Sequence, residues 1–405
     1  MGQGPSSASS CSTSSDCSDE DDLLGRPAWE PIACRSAEGE SPPCVRSGHT
    51  SMVHGDSLFV FGGYVDSLQI GRRCLSDMHE LSLVDFSWRR VDVPEPLPRA
   101  SHSWCMGGEH LYLLGGSGEQ WGLSNRADLQ RFDFASRAWQ PVEQRGHPPP
   151  PSYGHSLCEF QSSYGQPGGR VLVLFGGTTG VEYSNATFIF ELDTCTWRRM
   201  VTTGERPSER YRHCAVVVDG QMLVVGGGLF AAPNTAIDVF SLDLSSGHWK
   251  RIVAYGAVPE ARIAHSVSRL PGQRKLVMFG GRNSGGVRLN DMFTFCLSTG
   301  RWCCLHGNDQ DDSPCRRDFH SAALHKGQML IFGGSVGQDR LNDVLRFRFD
   351  NTPPPLSVLC LKAAQRARAD GHVVDGHALL PLELRVAIDT LHADALDVPW
   401  SSSRK

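Results

Sequence analysis

Arginine and histidine stand three residues apart five times in this chain: Arg46/His49, Arg99/His102, Arg210/His213, Arg262/His265 and Arg317/His320. At a sixth place, Ser152-Tyr153-Gly154-His155, the histidine stays and the arginine is gone. An imidazole can ligate a metal or move a proton, and a guanidinium can fork onto a carboxylate. A residue returned in every unit serves the unit, however, so these pairs are expected to be structural. Arginines outside that register are better candidates for binding. Arg282 and Arg288 lie in Gly280-Gly281-Arg282-Asn283-Ser284-Gly285-Gly286-Val287-Arg288-Leu289-Asn290-Asp291, and a cationic fork can pair with a carboxylate. Asp318, directly after Arg317, breaks the repeat too; facing the same site, it would repel that carboxylate. His147, His248 and His306 carry no ligand spacing, and the 14 cysteines are scattered, with Cys303 and Cys304 adjacent. No metal and no cofactor is expected.

These residues hang on a repeated element. A Gly-Gly doublet closes a short apolar run at Gly62-Gly63, Gly115-Gly116, Gly176-Gly177, Gly226-Gly227, Gly280-Gly281 and Gly333-Gly334, and tryptophan follows in five units at Trp88, Trp139, Trp197, Trp249 and Trp302. Runs such as Leu58-Phe59-Val60-Phe61, Leu172-Val173-Leu174-Phe175 and Leu330-Ile331-Phe332 have strand length and are bounded by glycine and polar turns. Being apolar on both faces, they belong in the middle of a four-stranded sheet packed between neighbours. The doublet lets the backbone turn where a Cβ would clash. One such sheet cannot bury its own faces, so the units must stack in a ring.

With its period of about 50 residues, this pattern resembles the kelch β-propellers from about Trp29 to about Asp350. The resemblance implies an all-β, six-bladed propeller. The sixth unit lacks its tryptophan: after Leu341-Asn342-Asp343-Val344-Leu345-Arg346-Phe347 the chain reads Pro353-Pro354-Pro355, whereas Trp29 precedes the first unit in Ala28-Trp29-Glu30-Pro31-Ile32. The N-terminal segment is therefore expected to add the outer strand of the last blade. Such closure removes two exposed sheet edges.

The chain has 405 residues and a net charge of −5, and no apolar stretch nears the roughly 20 residues that a membrane helix needs. No secretory leader is expected, since the start lacks a basic segment and an apolar segment. Reduced thiols in the cytoplasm or nucleus are the expected state of the cysteines. No basic run points to nucleic acid. Residues 1–26 are serine-rich, then acidic, and are expected to be disordered. Gly2 matches a myristoylation pattern without a reinforcing basic cluster, and Ser18 precedes acids that read most simply as a solvated tail. The propeller is assigned to 27–352, a small α-helical pair to 353–396 and a disordered tail to 397–405.

In that helical pair, Pro355-Leu356-Ser357-Val358-Leu359-Cys360-Leu361-Lys362-Ala363-Ala364 resembles a BC box, the short helix by which substrate receptors bind Elongin C. Leu356, Leu359, Cys360 and Ala363 or Ala364 fall on one helical face, and proline suits the first turn. Leu379-Leu380-Pro381-Leu382-Glu383-Leu384-Arg385 resembles a cullin box, in which Leu380, Pro381 and Leu384 would meet a cullin. Glu383 stands where some cullin boxes carry a second proline, which leaves the choice of cullin open. The bland alternative is that both helices pack on the propeller.

Phe175-Gly176-Gly177-Thr178-Thr179-Gly180 with Tyr183-Ser184, Glu209-Arg210-Tyr211-Arg212-His213 with Asp219-Gly220-Gln221, and the triple Gly226-Gly227-Gly228 are similar to a group of kelch receptors with this arrangement of propeller and boxes. That resemblance implies a substrate receptor of an Elongin B/C cullin-RING ubiquitin ligase that reads the C-terminal tails of client proteins. It makes Tyr183, Ser184, Tyr211 and Arg212 tail-binding candidates beside Arg282 and Arg288, whose loop resembles the carboxylate-binding loop of another tail-reading kelch receptor. The competing expectation is a kelch scaffold that binds a folded partner without ubiquitin. Catalysis is disfavoured, because neither a Ser-x-Asp-x-Gly-x-Thr-Trp series nor a His/Tyr/Cys constellation for copper is present.

Overall fold

Each apolar run before a glycine doublet forms the second strand of an antiparallel sheet, and six such sheets make a six-bladed β-propeller. The computed structural model describes residues 29–349, apart from 68–70, 93, 95, 162–168, 230–235 and 309–312. The elements assigned to 1–26, 353–396 and 397–405 lie outside the described residues. Among the described residues the regular structure is β, and no helix is long and apolar enough to cross a membrane. The described cysteines are free thiols, Cys303 and Cys304 included.

Blade one runs outward from the channel as Thr50–His54, Ser57–Ser67, Gly71–Ser82 and Ser87–Arg90. Blade six runs as Ser321–His325, Gln328–Val336 and Asp339–Arg348, and its outermost strand is Trp29–Pro31. Trp29 pairs with Phe347 and Pro31 with Leu345, so the first described strand closes the ring as expected. The four-stranded expectation holds for blades two and six only. In blades one, three, four and five the incoming chain adds a two-residue strand parallel to the outermost one, as where Arg145-Gly146 pairs with Thr196-Trp197. That pairing covers an edge which a bare blade would leave exposed.

The core consists of six apolar clusters, one between each pair of neighbouring blades. The repeated tryptophans supply it: Trp249 lies 5.1 Å from Phe175 of the preceding blade and Trp139 lies 5.4 Å from Phe61. Trp29 does the same for blade six, with ring centroids 4.8 Å from Phe279 and 5.1 Å from Phe347. Trp29→Ala should therefore cost about 3–5 kcal/mol, as other buried aromatic truncations do. A urea midpoint equal to that of the parent would show that the last blade closes without this side chain.

The doublets sit where two blades meet at the channel. Gly226 and Gly227 have φ of +59° and +77°; a Cβ on Gly227 would stand 2.5 Å from the Cβ of His213, and one on Gly226 would stand 2.9 Å from the His265 ring. The second glycine thus packs on its own blade's histidine and the first on the next blade's. No side chain fits either place.

Candidate functional site

The repeated arginines are clamps. Arg46 forks onto Asp77 at 2.9 and 2.8 Å and also donates to the Gly62 carbonyl at 3.0 Å. Arg210 does the same with Asp238 and Gly226, and Arg317 with Asp343 and Gly333. Arg99 reaches Asp128 and Gly115, and Arg262 reaches Asp291 and Gly280. Each guanidinium therefore ties the carbonyl of the doublet's first glycine to an aspartate that lies in the third strand or directly before it. In blade three the arginine is Ser152, and the acid's place, marked by the bond from the Gly176 N–H to the carbonyl opposite, is held by Ala186. Charge and countercharge vanish together, because either alone would be a buried unpaired ion. The acids escaped the sequence reading, although a recurring Asp after each doublet, missing only from the unit without arginine, was the available signal.

Around the channel the third residue of every unit has a left-handed backbone: Gly48, Ser101, Gly154, Arg212, Ala264 and Phe319, with φ between 54° and 67°. Each donates its N–H to the carbonyl of its counterpart in the preceding blade, from Ser101 to Gly48 at 2.7 Å round to Gly48 on Phe319 at 2.9 Å. Six backbone hydrogen bonds thus close a girdle. The six histidines line the same cavity, of about 120 Å³. Burial pushes His49 and His265 down to about 3 and His155 to about 4, and lowers His102, His213 and His320 well below the ordinary value. Five of them are neutral partners for hydroxyls, as in His49 with Ser321 at 2.8 Å and His213 with Ser156 at 2.9 Å, whereas His265 meets none. Among the described residues no group of three or more His, Cys, Asp or Glu is placed to hold a metal ion.

The turns after the doublets surround one mouth of this channel, and their chemistry is divided. From blade one to blade four run aromatic rings: Tyr64 lies 6.3 Å from Trp121, Trp121 lies 5.3 Å from Tyr153, and Tyr211 lies 6.3 Å from Tyr153 and 5.2 Å from Tyr183. Burial raises the phenols of Tyr153 and Tyr211, the latter to about 12, so both are neutral donors at physiological pH. Arg212 stands at the girdle itself. Its guanidinium lies 4.7 Å over the Tyr211 ring and 4.3 Å over Phe319 of blade six, a cation–π bridge across the axis. Ser184 is drawn into its own loop, where its hydroxyl accepts from the Ala186 N–H at 3.0 Å and its carbonyl from the Arg210 N–H at 3.0 Å.

On blades five and six the mouth is ionic. Arg282 and Arg288 are direct cross-strand partners, a placement that repulsion would penalise. Asp318 resolves it from below: Arg288 Nε lies 2.9 Å from one carboxylate oxygen and Arg282 Nε 3.5 Å from the other, while Asp318 itself is fully buried. The Ser335 hydroxyl donates to the same carboxylate. The acid that would repel an anion from the sequence alone is covered by two arginines and orients them. Among the described residues, three guanidiniums, Arg212, Arg282 and Arg288, thus act on the Asp318 carboxylate in this half of the mouth.

The kelch model described as the KLHDC2/KLHL20/DRC7 Kelch-repeats domain matches residues 25–227, 160–252 and 222–373. The mouse protein "Kelch domain-containing protein 10" is 30% identical over 323 residues, covering 75% of this chain and 70% of its own. The Drosophila melanogaster "Leucine-zipper-like transcriptional regulator 1 homolog" is 26% identical over 76% of this chain and 31% of its own, and the rice "Putative adagio-like protein 2" is 33% identical over 62% and 41%. Matched along its repeats and closed blade by blade, the chain belongs to the kelch-repeat β-propeller family.

Proposed function

We propose that this protein is the substrate-recognition subunit of an Elongin B/C cullin-RING ubiquitin ligase and that its propeller mouth binds the C-terminal tails of client proteins. The observation that carries the reading is the cationic half-mouth of Arg212, Arg282 and Arg288, beside a wall of aromatic rings. Guanidinium forks held by a buried acid suit a terminal carboxylate, and neutral phenols offer donors to peptide carbonyls. The mechanism is positional. Capture at the mouth, with Leu356, Leu359, Cys360 and Ala364 on Elongin C and Leu380, Pro381 and Leu384 on a cullin, raises the effective concentration of client lysines near a charged conjugating enzyme. No residue of this chain need break a bond.

Two measurements test the two ends of the molecule. Peptides with free C-termini should bind at least roughly tenfold more tightly than their amidated forms, the loss expected when a charged hydrogen bond is removed; equal binding would end the carboxylate reading. Leu356→Ser with Cys360→Arg should abolish co-purification of Elongin B/C and leave the thermal transition of the propeller in place. Absence of Elongin from the intact protein would leave a propeller scaffold that binds protein partners.

A further inference from the structure

Three of the large apolar side chains exposed on this propeller stand around a single backbone contact at the mouth. In blades five, six and one the second strand runs on through the glycine doublet into a hairpin, whereas in blades two and three it stops just before it, at Leu114 and Phe175. The turns of blades two and three lie against each other instead. Asn125 Nδ2 donates to the Thr179 carbonyl at 2.7 Å, and a Cβ on Gly122 would stand 3.2 Å from the Gly180 Cα. Trp121 and Leu123 flank the first of these glycines and Val181 follows the second; they are 39%, 86% and 87% exposed. Apolar groups gathered in this way mark a contact surface. The patch continues the aromatic wall, since rings pass from Trp121 through Tyr153 and Tyr211 to the Arg212 guanidinium in steps of 5.3, 6.3 and 4.7 Å. An extended chain advances about 3.3 Å per residue, so a side chain on the patch belongs about three to five residues before a carboxylate held at Arg212. Glu119 and Glu182 are exposed on the same two turns, against Arg126 as their one described cation.

We propose that this patch is a second subsite of the mouth, selecting client tails that carry a large apolar residue about three to five places before the terminus and no acid beside it. The subsite rests on the tail reading and adds specificity away from the carboxylate. Trp121 supplies a ring for the incoming side chain, Leu123 and Val181 supply aliphatic cover, and the two glutamates oppose an acid.

The test offers the full chain pools of short peptides with free C-termini, in which one position at a time is fixed as Phe, Leu, Lys or Asp and the others are mixed. Pools with Phe or Leu about three to five places from the end should bind about tenfold more tightly than pools with Asp there, the gain expected when a large apolar side chain leaves water. Leu123→Ser/Val181→Ser should reduce that difference to about threefold or less, while free C-termini keep their advantage over amidated ones. Both side chains face solvent, so this variant should keep the parent's melting temperature. Trp121→Leu, which leaves an apolar group beside Tyr64 and Tyr153, is the second variant and should weaken the same preference. Free-carboxylate pools that bind without preference at these positions, or a preference unmoved in both variants, overturn the subsite and leave the tail reading standing. Equal binding of free and amidated pools removes the tail reading and the subsite with it. A parent that elutes as a dimer, made monomeric by Leu123→Ser/Val181→Ser, overturns the subsite in favour of a second copy of this chain.

Discussion

Arg262→Ser should destabilise the propeller by about 3–5 kcal/mol, the usual cost of stranding one member of a buried ion pair. Arg262 and Asp291 are 1% and 7% exposed at their side chains, and the arginine also holds the Gly280 and Glu260 carbonyls at 3.1 and 3.0 Å. Without it, Asp291 keeps the Asn308 amide, at 3.3 Å. Asp291→Ala should be as harmful, because the guanidinium is then the unpaired ion. The double variant Arg262→Ser/Asp291→Ala copies what blade three already is, with Ser152 and Ala186. It should be no less stable than either single variant, which gives a coupling of several kcal/mol in a double-mutant cycle. Losses that simply add in urea denaturation would mean that the clamp acts as two independent residues.

That clamp also shows which parts of the molecule were legible beforehand. The ring, its number of blades and its closure by Trp29 follow from local patterns: a doublet, an apolar run, and one missing tryptophan balanced by one extra. A structural role for the repeated histidines follows from repetition itself. The acid partners were harder, since Asp77 lies 31 residues after Arg46 and Asp343 lies 26 after Arg317, and only strand pairing brings them together. The mouth was the least legible. Arg282 and Arg288 were identified, but that Asp318 lies beneath them depends on blade six meeting blade five. The contacts of Trp121 with Tyr153 and of Arg212 with Phe319 likewise join residues from different blades. Neighbours of that kind are set by the closing of the ring, about which local periodicity carries no information.

Acid should weaken this protein well before its carboxylates titrate. His49, His155 and His265 are held at about 3 to 4 in the folded chain by burial, whereas an unfolded histidine titrates near 6.5. A depressed folded value means that the stabilisation is fully present above about pH 6.5 and is lost progressively as the pH falls toward the folded values, because only the unfolded chain takes up the protons. At pH 5.5 each of the three contributes a loss of about 1.4 kcal/mol, together about 4 kcal/mol. His102, His213 and His320 move in the same direction. For a chain of this size the three alone should lower the melting temperature by about 6 °C between pH 7.5 and 5.5. The slope of stability against pH near 5.5 should correspond to an uptake of roughly three protons or more on unfolding. Carboxylates are ionised in both states over this interval, so a flat profile there would mean that the channel histidines already carry protons in the folded ring, and the hydroxyl partnerships of His49 and His213 would have to be redrawn with the imidazoles as cations.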